Sequence, residues 1–202
     1  MKSLRAGAPV LATAIGLICT TGAFAQEDTT EPTTTDETTT SETTTAPDPW
    51  AETPRTRDLR RRALWLKLVA RKLSKLTQHP RPTVSRTRAE FDSLLRYRLW
   101  LRDAWRIRAE RARYRAHHPP HRSEWLCIHR FEGSWTDPNS PYYGGLQMDI
   151  SFQRTYGAAL RRRKGTANRW EPYEQMWIAE RAVKAGRGFY PWPLTARSCG
   201  LI

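Results

Sequence analysis

At 202 residues and a formal net charge of +14, the chain has room for one or two domains, and its basic balance points toward anionic partners. Cys127 and Cys199, far apart and with no matching histidine pair, do not make a zinc pattern, and no alternating apolar run predicts a sizeable sheet. The charge is uneven: residues 26–52 hold eight acids and no base, residues 53–122 hold 21 bases and five acids, and residues 123–202 hold 11 bases and seven acids.

Residues 1–25 read as a secretory signal. Lys2 and Arg5 form the charged start, Val10 to Cys19 is mostly apolar, and Ala23-Phe24-Ala25 fits the small-x-small cleavage rule. The apolar run is too short to span a bilayer comfortably, and bulky Ile18 before Cys19 argues against a lipid anchor. After cleavage at Ala25 no transmembrane segment is expected. Two cysteines then remain, an even count that favours a disulfide in an exported chain, with two free thiols as the alternative. A loop of roughly 70 residues would gain about 4 kcal/mol from such a bridge. Residues 26–49, rich in Thr, Glu, Asp and Pro, have little to bury and are expected to be disordered, within an acidic linker running to residue 52.

Residues 53–122 predict an Arg-rich helical hairpin. Leu59, Leu66, Val69, Leu73 and Leu76 recur at three- and four-residue spacing and predict a helix over 57–77, interrupted by Pro80 and Pro82. A second helix is predicted over 88–115. Thr87-Arg-Ala-Glu90 is its capping box, and Phe91, Leu94, Leu95, Leu101, Trp105 and Ala112 line one side. His117-His-Pro-Pro-His121 follows; its three histidines offer a metal site, but the flanking prolines favour an exposed linker. The hairpin is either a solvated stalk or an attachment to anionic wall polymers or lipid headgroups. Nucleic acid is not expected, because the signal sends the chain where it is scarce.

Residues 123–202 predict a compact helical domain. Ser123 is the expected N-cap of a helix ending at Phe131 or Glu132, with Gly133 as its stop. A helix over about 151–160 follows, with Asp149 as its cap, and Arg161 to Gly165 form a basic loop. Glu171-Pro172 opens a further helix through Tyr173, Met176, Trp177, Ala179 and Val183, which Gly186 ends. Trp192, between two prolines, is expected to pin the C-terminus over the core.

The chemistry concentrates at Glu132. Cutting a glycosidic bond needs a carboxylic acid that keeps its proton near neutral pH. Phe131, Trp135 and the Tyr142-Tyr143 pair lie close in sequence, and desolvation by aromatic rings disfavours the charged form. The negative end of a helix dipole acts in the same direction. Tyr142-Tyr-Gly-Gly-Leu-Gln147 offers stacking surfaces, a flexible backbone at Gly145 and an amide that can address hydroxyl or N-acetyl groups. Asp149 is expected to cap a helix and Asp137-Pro138 to open a turn, so a single acid is the default. His129 is expected at the surface.

Cys127, Glu132-Gly-Ser-Trp135, Tyr142-Tyr-Gly-Gly-Leu-Gln147, Phe152, Glu174-Gln175, Pro191-Trp-Pro193 and Cys199-Gly200 together resemble the resuscitation-promoting-factor, or transglycosylase-like, domain of actinobacterial secreted proteins. That family belongs to the lysozyme-like superfamily. The resemblance covers residues 125–202. It implies a mainly α, lysozyme-like C-terminal domain acting on peptidoglycan glycan strands, with Glu132 catalytic. Trp135, Tyr142, Tyr143, Gly145 and Gln147 would bind substrate, and Cys127 and Cys199 would form a disulfide. No cofactor is implied. Four residues separate Cys127 from Glu132, about one helical turn, which places the cysteine below the acid on one helix face. Hydrolysis and lytic transglycosylation both remain open. So do a non-catalytic wall-binding or signalling protein that keeps the groove and a cationic wall- or membrane-binding protein.

Overall fold

Thr53 and Pro54 start the first helix as local chemistry requires. The Thr53 side chain accepts from the Thr56 backbone N–H, the Thr56 hydroxyl accepts from the Thr53 N–H, and proline occupies the first helical position. The computed structural model describes residues 46–202. The signal at 1–25 and the linker up to residue 45 lie outside the described residues.

Helix α1 spans Pro54–Leu76 and α2 spans Leu94–His117. Together they form the expected antiparallel hairpin. Leu59, Leu66, Leu73 and Leu76 are buried on α1. The surface between the helices is also rich in alanine: Ala63, Ala70, Ala104, Ala109, Ala112 and Ala116 are 0–8 % exposed. Small side chains let two backbones approach closely, so alanine carries much of a contact that a search for large apolar residues misses. Trp105, 3 % exposed, fills the space beside them under Lys67 and Arg71.

The second helix starts later than its sequence suggests. The Thr87–Glu90 capping box forms, but it caps only one 3-10 turn, Arg88–Glu90. Phe91 then turns extended and packs with Tyr97 and Trp100 at 5.5 and 5.4 Å between ring centroids. Ser93 caps the true helix by accepting from the Arg96 N–H. The end of the acidic linker is also held more firmly than expected. Leu94 N–H donates to Pro49 O at 2.9 Å, and Arg88 lies over the Trp50 ring at 4.5 Å.

Helix α3, Arg122–Glu132, ends at Gly133 as expected. Its N-terminus differs: the N-cap is His121, and Ser123 bonds only to the next side chain, Glu124. The orphan amide is served from across the fold. Glu180 Oε1 accepts from the His121 N–H at 2.9 Å and from Trp125 Nε1 at 2.8 Å, and Glu180 Oε2 lies 3.0 Å from His121 Nδ1. One buried carboxylate thus replaces the local cap and fixes Trp125, which is fully buried.

A two-stranded antiparallel ladder follows. Strand β1 is Tyr142–Tyr143 and β2 is Met148–Asp149, with Tyr142 opposite Asp149 and Tyr143 opposite Met148. Asp149 caps α4, Ile150–Lys164, by accepting from the Phe152 N–H at 2.7 Å. Helix α4 runs through Arg161–Lys164, where a loop is expected from sequence. Arginine and lysine are good helix formers and favour the negative helix end, so the run continues until Gly165.

Helix α5, Pro172–Ala182, is the central helix: Gln175, Met176, Trp177, Ile178 and Ala179 are all buried. Beyond it, Val183–Arg187 forms a wide turn, and α6 spans Pro193–Ser198. The protein is mainly α. Leu73, Leu76, Ala112 and Ala116 of the hairpin share one apolar core with Trp125, Leu146, Ile178 and Trp192 of the C-terminal portion. Trp177 Nε1 donates to Ala116 O at 2.8 Å, and Arg181 Nη2 donates to Leu76 O at 3.2 Å. Burial pushes the Arg181 guanidinium below its ordinary pKa. The hairpin is therefore part of the core that positions the C-terminal elements. No helix among the described residues is long and apolar enough to cross a membrane.

Candidate active site

Glu132 is the last residue of α3, half-buried, and Gly133 continues the chain at φ +130°, a backbone conformation that favours glycine. The acid is held from the C-terminal end of the chain: Thr195 Oγ1 of α6 donates to Glu132 Oε1 at 2.8 Å. Among the described residues Glu132 Oε2 accepts no protein hydrogen bond. Phe131 points to solvent at 57 % exposure and Tyr142 is 50 % exposed, so these two rings do not enclose the acid as the sequence suggests.

Cys127 and Cys199 are joined by a disulfide with a Cα–Cα distance of 6.1 Å. It ties α3 to α6, the same pair of helices that meets at Glu132 and Thr195. Cys127 and Glu132 are not on one helix face. Five positions advance about 140° beyond a full turn.

The Tyr-Tyr-Gly-Gly-Leu-Gln segment packs against the end of α3. Gln147, at φ +45°, donates from Nε2 to Asp137 Oδ2 at 2.7 Å and to Gly144 O at 3.0 Å. Gln147 Nε2 and Asp137 Oδ2 lie 3.8 and 3.9 Å from where a Cβ on Gly133 would stand. The amide and the carboxylate are therefore next to the acid-bearing turn. Asp137 also opens the expected turn, with Oδ1 accepting from the Asn139 N–H at 3.1 Å.

Trp135 is half-buried and stacks on His129 with ring centroids 3.9 Å apart, while His129 Nδ1 lies 3.1 Å from Gly145 O. His129 is thus a packing residue rather than a surface one. Gly145 is required by the same contact, since a Cβ there would stand 2.6 Å from His129 Nδ1 and 2.7 Å from Trp135. Gly145→Ala is expected to cost about 1–3 kcal/mol of stability from overpacking, read as a lower urea midpoint at unchanged m-value.

A cavity of about 160 Å³ opens beside this segment, lined by Tyr142, Gln147, Phe152, Tyr156, Arg187 and Trp192 among others. Trp192 is 4 % exposed and its Nε1 donates to Leu146 O at 2.6 Å. It therefore pins the C-terminal segment, as expected, and forms a wall of the cavity as well. Tyr143 is half-buried against the main core, which leaves Tyr142 as the strand ring most open to a ligand.

Gln147 and Asp137 lie beside Gly133, the residue after Glu132, while Thr195, which sequence reasoning does not supply, holds the acid itself. Glu132 does not line the cavity beside Trp192. Gln175 is a further hidden support: its Nε2 donates to Trp135 O, Ala167 O and Trp170 O at 2.8–3.1 Å. Among the described residues no group of three or more His, Cys, Asp or Glu is placed to hold a metal ion. No family model, curated protein or solved structure matches the chain.

Proposed function

We propose that this chain is a secreted, cell-wall-associated enzyme that cleaves the glycan strand of peptidoglycan, with Glu132 as general acid and base on a lysozyme-like C-terminal domain. The observation that carries the reading is the half-buried carboxylate at the end of α3. One of its oxygens is fixed by Thr195 and the other is free to meet substrate, beside the Gln147–Asp137 pair.

In this mechanism Glu132 Oε2 delivers its proton to the leaving glycosidic oxygen while Thr195 holds the carboxyl in orientation. As the C1–O glycosidic bond breaks, the resulting carboxylate takes a proton from water, whose oxygen bonds to C1 in hydrolysis, or from the sugar's own 6-hydroxyl, whose oxygen bonds to C1 in lytic transglycosylation and leaves an anhydro end. Asp149 is committed to capping α4, and Asp137 to Gln147 and Asn139. One acid therefore performs both transfers. Trp135, Tyr142, Tyr143, Gly145 and Gln147 shape the glycan groove, with Tyr142 as the open ring.

The test is mass spectrometry of fragments released from purified peptidoglycan. Anhydro-ended muropeptides identify a lytic transglycosylase and reducing ends a hydrolase. Release no faster than the uncatalysed control overturns the enzyme reading. Thr195→Val removes the hydrogen bond to the acid, worth about 1 kcal/mol, or roughly fivefold in rate. It is expected to lower kcat with KM little changed.

A second reading, a wall-binding or signalling protein that keeps the groove without cutting, draws on one specific observation. The Gln147 amide nitrogen and the Trp135 ring are already engaged within the chain. In either case the basic face of α1 supplies attachment to anionic wall polymers. Arg57, Arg60 and Arg61 lie on it beside Leu64 and Leu68, which are 48 % and 67 % exposed. Because the hairpin shares the main core, this is tested by substitution rather than deletion. Arg57→Gln, Arg60→Gln and Arg61→Gln together should weaken retention on anionic wall and flatten its salt dependence.

A further inference from the structure

Away from Glu132, the C-terminal end of α1 meets α4 and α5 around a cavity of about 410 Å³. Its floor is apolar, formed by Leu73, Leu76 and Leu160, all buried. Its walls carry four cations: Lys72, Lys75, Arg163 and Arg181.

One carboxylate lines it, Glu174, 1 % exposed and already engaged. Its Oε2 accepts from Lys164 and from the Glu171 N–H, and its Oε1 lies 3.8 Å from Arg163 Nη2. Among the described residues Lys72, Lys75 and Arg181 form no ion pair. Arg181 Nη1 and Nη2 donate to the carbonyls of Tyr156 and Leu76 at 2.7 and 3.2 Å. Neutral carbonyls orient a guanidinium without offsetting its charge. Like charges gathered around the mouth of an apolar cavity repel, and an entering anion relieves that repulsion.

We propose that this cavity binds a phosphate group that carries an apolar segment. The phosphate would sit among Lys72, Lys75 and Arg163, with Arg181 behind them, and the apolar segment would lie on the leucine floor. A doubly charged group suits the site because Lys72, Lys75 and Arg181 carry no ion pair among the described residues and Glu174 is already met by Lys164. None of these residues belongs to the Glu132 groove, so the site is independent of the proposed cleavage.

The experiment is calorimetric titration of the full chain with three probes. These are decyl phosphate below its micelle concentration, inorganic pyrophosphate, and decyl maltoside as the uncharged amphiphile. The expected result is one saturable decyl phosphate site that weakens with added salt. Lys72→Gln with Lys75→Gln, and separately Arg163→Gln, should each weaken it about tenfold or more. These side chains are exposed, and unchanged circular-dichroism melting will verify that the variants fold. Much weaker pyrophosphate binding assigns the site to a phosphorylated amphiphile such as a lipid headgroup. Equally tight pyrophosphate binding would overturn the proposal, since that probe has nothing to lay on the leucine floor, and would leave only a site for soluble phosphate. No saturable binding of either phosphate below about 1 mM, equal binding of decyl maltoside, or variants within about twofold of wild type would overturn the proposal.

Discussion

Glu132→Gln is expected to lower the rate of muropeptide release by about 10²- to 10⁴-fold, the usual contribution of a positioned general acid–base. The substitution is informative because of the geometry around the side chain. Thr195 donates to Glu132 Oε1, and a glutamine carbonyl oxygen accepts the same bond. Shape, packing and the link to α6 therefore survive, while the oxygen to which the proposed mechanism assigns the proton transfer becomes an amide nitrogen. Retention on insoluble peptidoglycan and the melting temperature should stay close to wild type. If wild type and variant release fragments at the same rate, Glu132 is not the acid. If both are folded and inert, the wall-binding reading replaces the enzyme.

The contrast with Thr195→Val sharpens the argument. That variant leaves the acid in place but lets its carboxyl turn, so its loss should be roughly fivefold, well short of the loss in Glu132→Gln. An equal loss in both would mean that the hydroxyl takes part in the proton transfer itself.

What the sequence makes legible follows from the range of each interaction. The Thr53-Pro54 start is local, yet the leucine spacing puts that helix's start at 57. Asp149 and Glu171-Pro172 start helices through contacts within three or four residues, and each is read from its own neighbourhood. The same holds for the Glu132-Gly133 stop and for the two cysteines available to pair. Two other starts are misplaced by contacts beyond the reach of a local cap. Glu180 caps α3 across 59 residues, so Ser123 looks like the cap although it is not. Phe91 leaves the helical path to pack with Tyr97 and Trp100, which turns a good capping box into a single 3-10 turn.

The candidate site divides in the same way. Glu132, Gln147 and Asp137 are near one another in sequence, and their neighbourhood can be anticipated. Thr195 reaches Glu132 across 63 residues, and nothing in its local sequence marks it. His129 looks like a surface residue because its stacking partner, Trp135, lies beyond a glycine turn whose direction the sequence does not specify. Ala63, Ala70 and Ala109 are likewise silent beside the large apolar residues, although they are buried in the hairpin's own core with Leu66 and Trp105.

Removal of the disulfide is expected to produce the largest loss of stability. The bridge closes a loop of 72 residues, for which the chain-entropy model gives about 4 kcal/mol. A chain of this size loses about 2–4 °C of melting temperature per kcal/mol. Cys127→Ser with Cys199→Ser should therefore melt about 8–16 °C lower, and a reduced wild-type protein should match it. The consequence for activity follows from α6. At six residues this helix is too short to persist alone. It is held by the buried Ala196, by the Trp192 anchor on Leu146 O and by Cys199. Loosening the last of these frees Thr195, so the double variant should lose activity even at temperatures where it remains folded, by at least the roughly fivefold of Thr195→Val. Full activity in a folded, bridge-free chain would show that Trp192 and Ala196 suffice to place Thr195. The disulfide would then serve the stability of the fold alone and not the geometry of the acid.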